Sequence, residues 1–312
     1  IGRMKILVTG GAGFIGSQIV DLLVQAHHQV IIVDDLSHGQ LDYVNQQARF
    51  YQTTLGSCQQ IILQEKPQIV IHQGAQVDVA RSIKEPGYDA QRNIIESIHL
   101  LEACHQGGVA KVIYASSAAV YGKPQELPIT EEHPILPLCP YGISKHTVEH
   151  YLAVYHELYG LDYTVLRYAN VFGPRQDPLG EGGVIAIFAH HLAQGKDIPI
   201  FGDGQQTRDF VYVGDVAQAN LLALTKGSGQ IINIGSGQST SINDLFTTMR
   251  QLLPSPTTPQ YMPPREGEII HSLLANTKGA RILGWQPMTS LETGLMKTIQ
   301  YYQGASGSAL RP

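Results

Sequence analysis

The sequence is short of cysteine, tryptophan and charge. Its 312 residues include three cysteines, Cys58, Cys104 and Cys139, and one tryptophan, and Asp, Glu, Lys and Arg together make up 15%. Thiols so far apart and odd in number exclude a disulfide framework and leave no CxxC pair for a metal. They suit a reducing cytoplasm. Lys and Arg are scattered without runs and the formal net charge is -5, which speaks against nucleic acid or a membrane surface as partner. No apolar run reaches the roughly 18 residues of a spanning helix, and no basic region followed by an apolar stretch marks a leader. Ile1, Gly2 and Arg3 ahead of Met4 read as a cloning remnant, and the closing "GASGSALRP" as a flexible tail of similar origin.

Glycine, by contrast, is abundant, with 32 residues beside 17 prolines and a hydrophobic share of 43%. This is the composition of a folded chain with many tight turns, long enough for one large or two coupled domains. In "MKILVTGGAGFIGS" the apolar run Ile6 to Val8 is too short for a helix and reads as a buried parallel strand. Gly10, Gly13 and Gly16 then allow a tight turn, close approach to a pyrophosphate, and close packing of a helix starting near Phe14. A second strand, "QVIIVDD", ends in Asp34, placed to hydrogen-bond an adenosine ribose. Asp34 would repel a 2'-phosphate and no Arg or Lys lies between it and Gln40, so NAD is expected over NADP; His38 is a mild counterargument. Further strands near 49–53, 68–72, 111–115 and 163–167 alternate with helical stretches such as 91–105 and 141–159, predicting an α/β, Rossmann-type doubly wound parallel sheet. Ligands then bind beyond the carboxyl ends of its strands, beside "HQGAQVD" and "SSAAVYG".

The stretch "YGISK" places Tyr141 and Lys145 four apart, on one face of a helix. A cation within about 4 to 6 Å lowers a phenol's pKa by roughly one to three units, which makes the pair a candidate proton device. Taken alone, the five residues read more simply as a half-buried Tyr and a solvated Lys behind the helix-starting Pro140. Likewise Arg208 with Asp209, taken alone, reads as a surface ion pair. "HTVEH", residues 146 to 150, matches H-x-x-E-H and would put His146 and His150 on one face for zinc; with Tyr141 and Lys145 on the same helix and no third ligand evident, no metal is expected.

Together "TGGAGFIG", "SSAAVYG", "YGISK", "RYANVFGPRQDP" and "RDFVYVGD" resemble the extended short-chain dehydrogenase/reductases, and among them the nucleotide-sugar 4-epimerases of the UDP-glucose 4-epimerase type. The resemblance runs from Met4 to about Tyr302. It implies an NAD-binding domain over 4–168, with a later segment of about 208–235 returning to it, and a smaller α/β domain over 169–312 that binds the UDP-sugar. It implies that Tyr141 takes the proton of the sugar 4-hydroxyl while NAD accepts hydride from C4, and that both return to the other face of the 4-keto sugar. Ser117 would hydrogen-bond the reacting oxygen, and Lys145 would hold the nicotinamide ribose and lower the tyrosine pKa.

The cofactor contacts it implies are Gly10, Gly13, Phe14, Ile15, Gly16, Asp34, Asp35, Thr54, Leu55, Gly74, Ala75, Asn93, Ser116, Tyr141, Lys145 and Tyr168. The substrate contacts are Ser117, Tyr141, Asn170, Gly183, Val184, Phe201, Arg208, Arg265 and Ser272, with Asn170, Arg208 and Arg265 on the diphosphate or adjacent sugar and "GGVIAIF" opening the helix over the uracil. One departure stands out: where the family usually carries an Asp-hydrophobic pair contacting adenine, this chain has Thr54-Leu55. Dehydratases and decarboxylases of the family carry ionisable groups before "VYG"; Ala118 and Ala119 here favour epimerisation. Ser272, seven after Arg265, replaces the bulky tyrosine that goes with glucose-only enzymes, so N-acetyl sugars are expected to fit beside glucose; a uronate stays open, and a non-catalytic NAD-binding protein is the remote alternative. A homodimer is expected, through a helix whose Tyr151, Tyr155 and Tyr159 run beside Val148, Leu152 and Leu158.

Overall fold

The structure is a computed structural model and describes residues 2–179 and 183–305. Its centre is a seven-stranded parallel sheet. In chain order the strands are β1 (Lys5–Thr9), β2 (Gln29–Asp34), β3 (Arg49–Gln52), β4 (Ile69–His72), β5 (Lys111–Ser117), β6 (Asp162–Tyr168) and β7 (Gln230–Ile234), arranged in space as β7-β6-β5-β4-β1-β2-β3. The order reverses between β1 and β4, where Val8 lies level with both Ile32 of β2 and Ile71 of β4. Such a switch point opens a crevice at the carboxyl ends of the strands.

The apolar runs seen in the sequence are continuous because both faces of the sheet are covered. Strand residues alternate between two cores. Ile6, Val8, Ile32, Ile71 and Ile113 face the helices Phe14–Gln25 and Val213–Ala223, while Leu7, Ile31, Val33, Val70 and Val112 face the helices Gln59–Glu65, Glu96–Gln106 and Pro140–Tyr159. A third core, around Phe172, Phe188, Ile200, Phe246 and Ile299, lies among the helices Val184–Ala193, Ile242–Leu252 and Leu291–Ala305. Short strand pairs accompany it: Asn170–Phe172 with Phe210–Tyr212, Thr207–Arg208 with Thr240–Ser241, and Ile198–Phe201 with Pro259–Met262.

The Pro140–Tyr159 helix starts on the proline itself and stops at Gly160, whose φ of 70° lets its amide cap His156. The expected helix over 91–105 is an α-helix only from Glu96; Gln91–Ile95 forms a wider π-turn ahead of it. All three cysteines carry free thiols. Among the described residues no helix is long and apolar enough to cross a membrane.

Candidate active site

A cavity of about 360 Å³ opens at the switch point. Gly10, Gly13, Phe14, Ile15 and Gly16 form one wall, where the Phe14–Gln25 helix begins at Gly13 with no side-chain cap and no acidic residue in its first turn. Its leading amides and positive dipole end therefore suit an anion. Gly16 cannot be replaced without movement, since a Cβ there would lie 2.0 Å from the Gly10 carbonyl oxygen. Asp34 and Asp35 follow from the end of β2. The Asp34 carboxylate accepts the amides of Ala12 (3.0 Å) and Leu36 (2.8 Å), and burial raises its pKa against those bonds. Thr54, Leu55, Gly74, Ala75, Ser116 and Tyr168 complete the walls that sequence reading assigned.

Tyr141 and Lys145 line the same cavity from the Pro140–Tyr159 helix. Lys145 is buried; its Nζ donates to the Ala115 carbonyl at 2.8 Å and stands 5.9 Å from the Tyr141 ring centre. Burial pulls its pKa down to about 8, against the pull of Asp89 and Glu149. Beneath it His72 bridges Thr9 (2.7 Å) and Ser97 (2.8 Å); burial first, then the Lys145 charge, push that imidazole to about 3, so it is neutral. The helix is anchored by Glu149, which accepts from Ser116 (2.6 Å) and from Arg167 Nη2 (2.5 Å) and Nε (3.0 Å). Burial would raise the Glu149 carboxyl, but these bonds and one from His146 outweigh it and hold it below the usual range. The acid of "HTVEH" thus faces inward onto Arg167, a structural task.

Ser117 and Asn93 stand differently from the rest. Ser117 ends β5, and its Oγ accepts the Ala119 amide at 3.1 Å. The turn it caps abuts the helix beside Tyr141, where a Cβ on Gly142 would sit 2.6 Å from the Ala119 carbonyl. Ser117 is not among the cavity-lining residues, and neither is Asn93, expected at the cofactor. It is buried and braces the loop after β4 through the Gln76 amide (2.8 Å) and carbonyl (2.9 Å), and it reaches Ser144 (3.1 Å).

Of the residues expected at the sugar nucleotide, Asn170, Phe201 and Arg208 lie on the short strand pairs, while Arg265 and Ser272 follow the Pro259–Met262 strand. Arg265 stacks its guanidinium 3.9 Å over the Phe201 ring, and Arg208 donates to Glu268 at 3.0 Å. The Ser272 amide bonds the Thr207 carbonyl (3.2 Å), and the Asn170 amide bonds that of Asp209 (2.9 Å). Gly183 and Val184 start the Val184–Ala193 helix; Gly182, the first residue of "GGVIAIF", lies outside the described residues. Arg208 and Asp209 are not ion-paired. Asp209 is fully buried and accepts from Ser236 and the Leu274 amide instead, because alternate strand residues point to opposite sides.

Sequence reading missed several cavity residues: Tyr43, Gln73, Arg92, Glu96, Arg175 and Gln176. Arg92 is the instructive case, since folding brings it across 57 positions to Asp35 at 2.7 Å, while Glu96 takes its other nitrogen at 3.3 Å. With two carboxylates on its guanidinium, Arg92 does not offer a free charge to a 2'-phosphate, so the preference read from Asp34 stands despite it.

An uncapped helix start at a glycine turn, an acid at the end of β2 and a Tyr–Lys pair in one cavity fit a nicotinamide dinucleotide. A model of the NAD dependent epimerase/dehydratase family matches residues 6–235. The chain belongs to that family. The structure is similar to that of the UDP-glucose 4-epimerase of Thermotoga maritima with UDP-glucose, at 45% identity and a TM-score of 0.95 over 97% of this chain and 100% of that one. It is similar to the Thermus thermophilus UDP-glucose 4-epimerase complexed with NAD, at 38% identity and a TM-score of 0.92 over 97% and 100%. It also resembles the UDP-N-acetylglucosamine 4-epimerase of Methanobrevibacter ruminantium in complex with UDP-N-acetylmuramic acid, at 36% identity and a TM-score of 0.93 over 97% and 99%. The resemblance read from the motifs therefore holds along the chain, and the family's cofactor is NAD.

Proposed function

We propose that this chain is a UDP-sugar 4-epimerase that keeps NAD bound and inverts C4 of UDP-glucose and UDP-galactose. The observation that carries the reading is Tyr141 in the wall of the dinucleotide cavity, one helical turn ahead of the buried Lys145. NAD, when bound, supplies a hydride acceptor that also returns the hydride. Gly10, Gly13 and Gly16 hold its pyrophosphate and Asp34 its adenosine ribose. Tyr141 removes the proton from the sugar 4-hydroxyl and later restores it, so the cycle is neutral in protons and in oxidation state. The Lys145 ammonium favours the phenolate by charge. Ser117 donates its hydroxyl hydrogen to the oxygen at C4 while its own oxygen accepts from Ala119. Ala118 and Ala119 offer no ionisable group for chemistry at C5 or C6, which separates this site from dehydratases and decarboxylases.

Residues 169–179 and 183–305 form the sugar-nucleotide side, apart from the helix Val213–Ala223 and β7, which belong to the central sheet and its cover. Arg208 and Arg265 hold the diphosphate, Asn170 the adjoining sugar, Phe201 with Gly183 and Val184 the uracil. Ser272 leaves room for an acetamido group at C2, so UDP-N-acetylglucosamine and UDP-N-acetylgalactosamine are substrates too. Kinetics on the glucose, N-acetylglucosamine and glucuronate pairs side by side test this. Activity on the first two is expected, with Ser272→Tyr depressing the N-acetyl rate far more than the glucose rate; equal losses, or glucuronate alone turned over, would overturn it.

The protein works as a homodimer, and its free thiols suit the cytoplasm. Of the expected stripe, Val148 and Leu152 are buried against the sheet, and Tyr155 is buried with its hydroxyl on Glu102. Ile143, Val154 and Leu158 remain 50–64% exposed beside Tyr159 on the outer side of the same helix, an apolar face for a second copy. A monomeric mass by light scattering at micromolar concentration contradicts the dimer.

A further inference from the structure

We propose that Glu96 recognises the adenine 6-amino group of the bound dinucleotide, taking the part of the acidic side chain that position 54 lacks. The assignment rests on the NAD-binding reading above. Thr54 and Leu55 stand in the cavity wall where the family usually places an aspartate and a hydrophobic residue, and threonine brings a hydroxyl but no carboxylate. Glu96 lines the same cavity together with Asp35 and Arg92. Its helix packs on the turn after Thr54. A Cβ on Gly56 in that turn would lie 3.9 Å from Thr54 Oγ1 and 3.8 Å from Nδ1 of His99, three residues after Glu96 and on the same helical face.

The Glu96 carboxylate is incomplete within the protein. Oε1 accepts Arg92 Nη1 at 3.3 Å, a weaker contact than the 2.7 Å bond Arg92 gives Asp35, and Oε2 is buried with no hydrogen-bond partner among the described residues. A buried acceptor left unmet is costly, more so on a carboxylate, and burial pushes this one above the usual range. The other cavity-lining atom so left, Gln176 Oε1, is a neutral amide on a different loop. Adenine carries an N–H donor at its 6-position, and a carboxyl's terminal torsion is broad, so a small rotation turns the unmet oxygen to that donor. Arg92 in the π-turn at Gln91–Ile95 and Glu96 just after it are four apart, on one face, and both reach the cavity.

The test is a partition experiment that reads binding and not turnover. Holoenzyme is equilibrated with equal, excess NAD and nicotinamide hypoxanthine dinucleotide, in which a carbonyl replaces the amino group. The bound fraction is then released by denaturation and quantified by chromatography. Wild type is expected to prefer NAD by about tenfold or more, as befits a hydrogen bond to a carboxylate. Glu96→Ala brings the ratio to within about twofold, and the double variant Glu96→Ala with Thr54→Asp restores the preference. Glu96→Met, which keeps the side-chain length, serves if the alanine variant does not fold. A preference unchanged in the Glu96 variants, or not restored by Thr54→Asp, overturns the assignment. Wild type that holds neither dinucleotide overturns the cofactor reading itself, and the assignment with it.

Discussion

The dinucleotide cavity and the arginine-bearing surface beside it are held together in different ways. The cavity stands on the carboxyl ends of parallel strands, its glycine wall is backbone, and Lys145 is fixed by the Ala115 carbonyl while Glu149 ties its helix to Arg167. The surface proposed for the sugar nucleotide includes strand pairs of two to four residues, and on that reading its arginines rest on neighbours that a bound diphosphate would displace: Glu268 for Arg208 and the Phe201 ring for Arg265. One half is set in advance; the other, on the proposed reading, would exchange partners when a diphosphate arrives. The contrast suits a cofactor that stays through every cycle and a substrate that leaves.

The comparison breaks most visibly at Tyr141. Tyr141→Phe is expected to lower kcat by about 10²- to 10⁴-fold, the usual worth of a positioned acid-base group, with NAD content unchanged on denaturation and chromatography; a near wild-type rate contradicts the proton role. Next comes Arg208→Ala, expected to raise KM for the UDP-sugar by roughly 10- to 100-fold for the lost charge-assisted bonds, again with NAD content unchanged in titration. Glu268→Gln frees the same guanidinium and is expected to lower KM a few-fold; a rise would mean that Glu268 itself serves the sugar. Gly16→Ala is expected to cost about 1–3 kcal/mol in denaturant unfolding and to release NAD, because a Cβ there meets backbone. Gly183→Ala is expected to stay within about 0.5 kcal/mol, since its Cβ meets only the flexible end of Gln176.

A further effect is electrostatic and depends on pH. The Lys145 pKa is lowered to about 8 in the fold, so between that value and its unfolded value the unfolded chain binds more protons. Stability contributed at this site therefore rises with pH in that window, by up to about 1 kcal/mol per pH unit. Denaturant midpoints of wild type and Lys145→Met at pH 8 and pH 10 check it: the difference between the two proteins should shift in favour of wild type at the higher pH.

What could be read in the sequence was what local spacing carries. The glycine trio, Asp34 at the end of β2, and Tyr141 with Lys145 each owe their place to one turn or one strand, and each lies in the cavity wall. Arg92 and Glu96 were out of reach because the packing of a helix against the loops after β2 and β3 brings them there, and Tyr43 meets Tyr301 from 258 residues away. Asn93, expected at the cofactor, bonds Gln76 and Ser144 instead of lining the cavity, a direction that spacing along the chain does not carry. The stripe of the Pro140–Tyr159 helix was legible as apolar, but only packing divides it into Val148 and Leu152 inside and Val154 and Leu158 outside.

The most direct test of the central claim follows the hydrogen on C4. UDP-glucose deuterated at C4 is incubated in ordinary water with the purified protein and no added nucleotide, and the product is read by NMR and mass spectrometry. If the hydride leaves C4 and returns to the same sugar inside the cavity, UDP-galactose forms with the deuterium still on C4. Label lost to water, or no UDP-galactose from a protein shown to contain NAD, would contradict it.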